Sequence, residues 1–376
     1  MKTTFDVKKG LEDVVVSESS VCFIDGEKGK LLYRGYNIND LAKCSYEEVS
    51  YLLIYEKLPT KKELANYNKT LVKKRRLSSR VIRLMHDYCP NTTGMEALRT
   101  TVSALVCHDP DVRKVSIADH RKNGIDLIAK FPTIVAAYER IRNGKKPIEP
   151  DPKLGHAANF LYMLSGKKPD AVSIKAMDTD FILHAEHGFN ASTFSVRVTI
   201  STLSDMHSAI TSGIGTLKGP LHGGAAQEAW ALMKNIKNPD NAEKYIKKSL
   251  EKHEKIMGFG HRVYKVYDPR ARILKKMAFD LSKSKKNLRW YNISDNVEKT
   301  MIKEKNINPN VDFYSSIVYH DLGIPIDLDT PIFAIARISG WIAHALEQYS
   351  DNKLIRPKEQ YIGPMDSKFV PIEKRK

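Results

Sequence analysis

Cysteine is scarce and unpatterned. The chain has four, Cys22, Cys44, Cys89 and Cys107, with no C-x-x-C pair. This argues against a structural zinc site and a disulfide framework. Scattered thiols suit a reducing compartment, so a cytoplasmic location is expected. No run of about 18 apolar residues occurs, and no membrane-spanning helix is expected. The opening residues, MKTTFDVKKGLEDVVV, contain no apolar core and do not read as a secretory signal. G-x-x-x-x-G-K-[ST], a G-x-G-x-x-G after a strand, and G-x-S-x-G are all missing. With them go the usual signatures of NTP hydrolysis, dinucleotide redox chemistry and serine hydrolysis.

Acidic residues are outnumbered, 44 against 61 Lys+Arg, which leaves a formal charge of +17. Basic runs stand at Lys73-Lys74-Arg75-Arg76, Lys283–Lys286 and Lys374–Lys376. A basic protein can bind nucleic acid, and such binding would fall steeply with salt. No helix-turn-helix, RRM or zinc-finger pattern accompanies the runs, so a solvated basic face is the simpler reading. A third reading is a small anionic substrate, which would depend on particular Arg and His positions. With 42% hydrophobic and 28% charged residues the composition is globular. A chain of 376 residues has room for two or three domains and a large core.

Long β-branched alternating runs are nearly absent, and the class is all-α. Residues 12–34 are the exception, where Val, Ile, Phe and Tyr flank Asp25-Gly26 and predict a small β-hairpin. Helices are expected over Asn39–Glu56, Lys61–Lys74, Gly94–Val106, Ile117–Arg142 (with Pro132 inside), His156–Leu164 and Val172–His187. Residues 191–217, rich in small side chains, read as one extended buried helical stretch. Helical spacing continues from Ala225 to Ile236 and from Ala242 to a stop at Gly258. Asp268-Pro269 opens the next helix as N-cap and first-turn proline. Lys283–Lys305 is polar and poorly patterned, and Thr330-Pro331 opens a long apolar helix to about Tyr349. The tail beyond Asp351 reads as irregular.

Several positions carry possible chemistry. His222 lies between Pro220 and Gly223-Gly224, just before a helix. The positive helix end favours a neutral ring able to donate to a carbonyl; a bystander histidine in a Gly/Pro turn fits equally well. His261, in Gly258-Phe259-Gly260-His261-Arg262, is a second glycine-flanked loop histidine. Arg270 falls in the first turn after Asp268-Pro269, where a cation opposes the macrodipole unless an anion faces it. Arg337 sits in a helix apolar on all sides, with no acid three or four residues away. A lone buried guanidinium is costly, so a ligand carboxylate is the preferred partner. Asp312, heading Asp312-Phe313-Tyr314-Ser315, reads locally as a helix N-cap. His184 and His187 stand at i, i+3, but no acid or cysteine completes a metal set, and no metal is expected.

Taken together, these blocks resemble the citrate synthases. The resemblance runs along nearly the whole chain, from Ile24-Asp25-Gly26 and Tyr33-Arg34-Gly35-Tyr36 onward. It is densest in Gly219–Ala225, in Met257–Tyr264 with Asp268-Pro269-Arg270, and in Asn310–Ser315. It implies a two-domain helical fold with a small N-terminal β-hairpin, a large domain of residues 1–222 and 325–376, and a small domain of residues 223–324. The active site would lie in the cleft between them, in a homodimer. The implied reaction condenses acetyl-CoA with oxaloacetate and water to citrate and CoA, opening the tricarboxylic acid cycle. The CoA thioester is a substrate, and no other cofactor and no metal is implied.

By resemblance, Asp312 is the base that takes the methyl proton, His222 stabilises the enol, and His261 polarises the oxaloacetate carbonyl. His187, Arg270 and Arg337 grip oxaloacetate together with the two catalytic histidines, and Arg356 is donated by the partner subunit. Lys255, Ile256, Met257, Gly258 and Phe259 resemble the loop that cradles the CoA adenine, with Arg262 and Lys265 as phosphate contacts. The chain departs from many relatives at Gly188-Phe189, where an acidic or smaller residue is common. The catalytic blocks do not separate citrate from 2-methylcitrate synthases. An ATP-citrate lyase condensing module would need partner modules that this chain lacks. A nucleic-acid-binding protein would not need His222 or Asp312, and intact His222, His261 and Asp312 argue against an inactive relative.

Overall fold

The computed structural model describes residues 6–11, 13–108 and 110–375. Its only sheet among these residues is antiparallel: β1 (Cys22–Asp25), β2 (Lys30–Tyr33) and β3 (Tyr36–Asn37). The expected hairpin is present, and Tyr36 adds a short third strand by pairing with Tyr33. All other regular structure is helical.

Helices α1 (Ile38–Leu41), α2 (Tyr46–Tyr55), α3 (Lys61–Lys74), α4 (Ser79–Tyr88) and α5 (Gly94–Leu105) follow the sheet. Then come α6 (Ile117–Arg142), α7 (His156–Ser165), α8 (Ala171–His184), α9 (Ala191–Ser201) and α10 (Met206–Leu217). The last six are α11 (Ala225–Ile236), α12 (Ala242–Glu251), α13 (Pro269–Ser284), α14 (Arg289–Lys305), α15 (Val311–Asp321) and α16 (Asp329–Ser350). Their starts are chemically marked. Ser45 with Glu48, Thr60 with Glu63, Thr93 with Glu96 and Ser116 with Asp119 form reciprocal capping boxes.

Four helix expectations needed correction. The single helix expected from Asn39 to Glu56 is α1 and α2, parted where Ser45 caps a new start. Residues 191–217 are two helices, turned at Leu203 in left-handed conformation and restarted by Asp205. The helix expected to reach Gly258 stops at Glu251, and Ile256 is buried from a loop instead. Lys283–Lys305, thought poorly patterned, contains α14, which begins without any side-chain cap and so gave no start signal.

Helix α16 is the hub. It is buried on nearly every side and packs against α2, α6, α8, α9 and α10. Two buried tyrosines fix its surroundings. Tyr46 of α2 donates to the Ile335 and Ala336 carbonyls at 3.1 and 3.0 Å. Tyr33 of β2 donates to Ile182 and Leu183 of α8, both at 3.2 Å. Beyond this core, α13 packs on α8 and α15, α11 packs on α15, and α12 packs on α14.

The approach of α16 to the end of α8 depends on Gly340. A Cβ there would overlap the Ala185 carbonyl and Glu186 Oε2. Backbone cannot swing aside as a flexible side chain can. Gly340→Ala is therefore expected to destabilise the protein by about 2–3 kcal/mol. The check is a lower urea midpoint at unchanged slope.

Candidate active site

Three segments converge around His187: the loop after α8, the loop of residues 252–268, and the middle of α16. His187 Nε2 lies 3.2 Å from the Tyr264 hydroxyl. Its ring centroid is 5.2 Å from that of His261 and 5.6 Å from that of Tyr264. Burial, then the charges of Arg270, His261 and Arg337, hold its pKa well below the usual value.

His261 has a defined tautomer. Its Nδ1 accepts the backbone N–H groups of Val263 at 2.9 Å and Tyr264 at 3.1 Å. An acceptor at Nδ1 puts the ring proton on Nε2. Arg270 Nη2 stands 3.4 Å from that Nε2. Two donors thus converge on one point, which suits a carbonyl or carboxylate oxygen. Burial and Arg270 lower the His261 pKa to about 4.

His222 has the opposite tautomer. The Ser192 hydroxyl lies 2.8 Å from its Nε2, and the Ser192 amide donates to the same nitrogen at 3.4 Å. An amide can only donate, so Nε2 accepts and Nδ1 carries the proton. Ser192 is itself held by Trp341 Nε1 at 3.1 Å and by Asn190 Oδ1 at 2.8 Å. Burial, then Arg337, bring the His222 pKa down to about 4.

The two arginines differ. Arg270 faces an anion, as its position in the first turn requires, but that anion is its own helix cap. Asp268 takes Nε at 3.1 Å and Nη2 at 2.9 Å, besides the Arg270 amide. Arg270 Nη1 makes no hydrogen bond among the described residues. Arg337 is 1% exposed and forms no ion pair among the described residues. Its Nε donates to the His184 carbonyl at 2.7 Å, and its guanidinium lies 4.7 Å from the centre of the Phe333 ring. Glu186, the first carboxylate to influence it, gives Oε1 to His344 at 3.0 Å, while its buried Oε2 makes no hydrogen bond among the described residues.

Asp312 is not the N-cap expected from local sequence. Asn310 caps α15 and accepts the Asp312 amide at 3.1 Å, leaving Asp312 at the second helical position. The freed carboxylate accepts no hydrogen bond among the described residues. Burial pushes its pKa up, only partly offset by His184 and Arg270. Asp329 nearby is also pushed up, to about 9, by burial and then by Asp180 and Asp312.

The residues expected to contact CoA lie on one strip. Lys255, Arg262 and Lys265 are exposed, Ile256, Gly258 and Phe259 are buried, and Met257 is intermediate. The strip is sewn to the start of α15. Gly258 O accepts the Asn310 amide at 2.9 Å, Gly260 N donates to Asn308 O at 3.0 Å, and Asn310 Nδ2 donates to Gly260 O at 3.0 Å. Gly258 has φ +86°, and a Cβ there would strike Phe313. Arg356 is exposed in the tail and contacts none of these groups. Phe189, the departure from many relatives, packs on Arg197 and His344 rather than on the histidine cluster.

Local sequence assigns no role to Tyr264, the last residue of the Met257–Tyr264 block, or to Trp341, within the long apolar helix. Only the fold shows that they position His187 and Ser192.

An acid–base enzyme acting on a small anion needs such a set: neutral histidines with assigned protons, an unpaired guanidinium and a hydrogen-bond-free carboxylate. Comparison with known proteins specifies the family. The family described as citrate synthase, C-terminal domain, matches residues 10–358. Citrate synthase of Haloferax volcanii is 46% identical over 98% of this chain and 99% of its own. Citrate synthase 2 of Bacillus subtilis is 48% identical over 98% and 99%. Among solved structures, the ternary complex of carboxymethyl coenzyme A and oxaloacetate with the Thermoplasma acidophilum citrate synthase superposes with a TM-score of 0.92. That protein is 37% identical, and the match covers 99% of this chain and 100% of the other. The chain belongs to the citrate synthase family.

The depressed histidine pKa values predict a pH dependence of stability. Unfolded, His222 and His261 titrate near 6.5, and folded, near 4. Between these values the unfolded chain binds more protons, so the stability these two histidines contribute is full above about pH 6.5 and is lost as pH drops toward 4. Asp329, pushed up to about 9, contributes in the opposite sense over the same range, so the histidine share is read as a difference: urea midpoints of the unaltered protein and of His222→Gln should converge or cross as pH falls from 7 to 4.

Proposed function

We propose that the protein is a citrate synthase, condensing acetyl-CoA with oxaloacetate and water to give citrate and CoA. The observation that carries this reading is the unpaired, buried Arg337 beside three neutral histidines and Asp312, in a chain of this family. Arg337 and the free edge of Arg270 take the oxaloacetate carboxylates, with His187 beside them and Arg356 arriving from a second subunit. His261 donates its Nε2 proton to the oxaloacetate carbonyl. His222 donates from Nδ1 to the thioester oxygen while Asp312 removes a methyl proton. The resulting enol carbon attacks the polarised carbonyl, forming the new C–C bond and a citryl thioester. Water then replaces sulfur at the thioester carbon, and the CoA thiol leaves.

The α-proton of a thioester is a weak acid, so a base whose pKa is raised and an oxygen donor must act together. Burial supplies the first at Asp312, and the fixed His222 tautomer the second. The loop Lys255–Phe259 holds the CoA adenine, and Arg262 and Lys265 meet its phosphates. We assign residues 1–222 and 325–376 to a large domain and 223–324 to a small one, working as a cytoplasmic homodimer. The C-terminal tail supports this assembly: Tyr361, Ile362, Met365 and Phe369 are 66%, 92%, 75% and 78% exposed.

A second reading is 2-methylcitrate synthesis from propionyl-CoA. It is favoured by a Corynebacterium glutamicum relative named 2-methylcitrate synthase 1, 42% identical over 98% of both chains. One methylene discriminates by only about 10–200-fold. Thiol release with oxaloacetate and each thioester decides between them. Release with acetyl-CoA that requires oxaloacetate is expected; faster release with propionyl-CoA reassigns the preference, and none with either overturns the reading.

Asp312→Asn should lower turnover by about 10²–10⁴-fold. Oxaloacetate affinity should stay within about threefold, because the lost interaction belongs to proton transfer. Calorimetric titration beside steady-state rates reads both.

A further inference from the structure

The β1–β2 turn is far in sequence from every residue given a role above, yet it touches the His261 loop directly. Asp25 Oδ1 accepts the Glu27 and Lys28 amides at 3.1 and 3.0 Å, which stiffens the turn. The Gly26 carbonyl accepts the Lys265 amide at 3.0 Å. Gly26 also stands close against the Val263 carbonyl. A Cβ at position 26 would overlap the Val263 oxygen and lie 2.9 Å from its carbonyl carbon. Gly26 does not have a left-handed φ, so the glycine is required by this approach and not by its own backbone. At Gly29 a Cβ would come within 3.0 Å of Val266 Cγ2 and 3.1 Å of Tyr267 O.

The contacted peptide is the one that holds His261. Its oxygen, Val263 O, abuts Gly26. Its N–H, on Tyr264, donates to His261 Nδ1 at 3.1 Å. A rigid peptide moves as a plane, so pushing the oxygen tilts the N–H. The Tyr264 side chain on the same residue reaches His187 Nε2. One contact thus bears on two histidines.

We propose that Gly26 is a positioning residue: by fixing the Val263–Tyr264 peptide it keeps Nδ1 of His261 an acceptor and the ring proton on Nε2. With that peptide displaced, Nδ1 loses one of its two donors and keeps only the Val263 N–H, so the preference for the Nε2 proton weakens and the ring shifts. The Nε2–H that polarises the substrate carbonyl is then present only part of the time, and misplaced when present. The catalytic consequence rests on the role proposed for His261; the tautomer consequence does not.

The test uses three variants of the full chain. Gly26→Ala introduces the clash. Asp25→Ala loosens the turn without one. Gly215→Ala is the control, because a Cβ there meets only Arg99 Cδ at 4.0 Å. The readouts are ¹⁵N-histidine NMR, with His261→Gln assigning the resonance, and steady-state kinetics. In the unaltered protein and in Gly215→Ala, His261 should show an unprotonated Nδ1 and a protonated Nε2. In Gly26→Ala the two nitrogens should move toward a mixed tautomer, and kcat/KM for oxaloacetate should fall by about 100-fold. Asp25→Ala should shift both readouts in the same direction, by less. A folded Gly26→Ala with the original tautomer overturns the proposal. Should Gly26→Ala not fold, an Asp25→Ala with unchanged tautomer and rate overturns it as well. A shifted tautomer without a rate loss keeps the positioning and removes the proposed role of His261.

Discussion

The site is organised around a guanidinium left without a counter-ion among the described residues. Arg337 projects from a helix packed on nearly every side, and its one hydrogen bond among these residues is to the His184 carbonyl. Burying a charge this way costs several kcal/mol unless something compensates. Phe333 offers one ring face, and Glu186 makes no ion pair with Arg337 among the described residues, its Oε1 taken by His344. The compensation proposed above is a ligand carboxylate, and the rest of the site answers that positive charge. It helps hold His222 and His187 neutral, so both rings remain able to donate or accept a single defined hydrogen bond.

Neutrality alone would not suffice, because each ring must present the right nitrogen. Backbone amides of Val263 and Tyr264 decide the proton position of His261, and Ser192 decides that of His222. Both are fixed by groups unable to exchange roles, which makes the donors available before substrate arrives. Asp312 completes the set with a carboxylate that accepts no hydrogen bond among the described residues. Asn310 does the capping, which leaves the Asp312 carboxylate free for the proton transfer proposed above. The loop that bears Gly258 and Phe259 is tied to the same turn. The loop proposed to hold CoA and the carboxylate proposed as base are thus joined by backbone and side-chain hydrogen bonds.

Much of this was legible before the fold. The bounds of α6 came out as the expected Ile117–Arg142, and Asp268-Pro269 marked the start of α13. Arg337 stood out because a charge without nearby acids in an apolar helix has few explanations. What stayed hidden depended on contacts between distant segments. Helix α14 was missed because Leu288 offers no side-chain cap and the apolar Ile302 falls on its mostly charged exposed face, which blurs the helical pattern. The Asp312 reading failed because Asn310, two residues earlier, is an equally good cap, and local sequence cannot choose between them. The bond of Tyr264 to His187 spans 77 residues and left no periodic trace. The Asp268–Arg270 pair stood only two residues apart, yet the local pattern spoke only for the backbone cap of Asp268.

The most direct test is oxaloacetate binding to Arg337→Met, measured by calorimetry beside urea unfolding of the ligand-free protein. Methionine keeps much of the volume and removes the charge. A guanidinium held for a ligand predicts that affinity falls by about 2–5 kcal/mol while the unfolding midpoint stays level or rises. Unchanged affinity with a stability loss of about 3–5 kcal/mol would make Arg337 a structural ion and contradict the account.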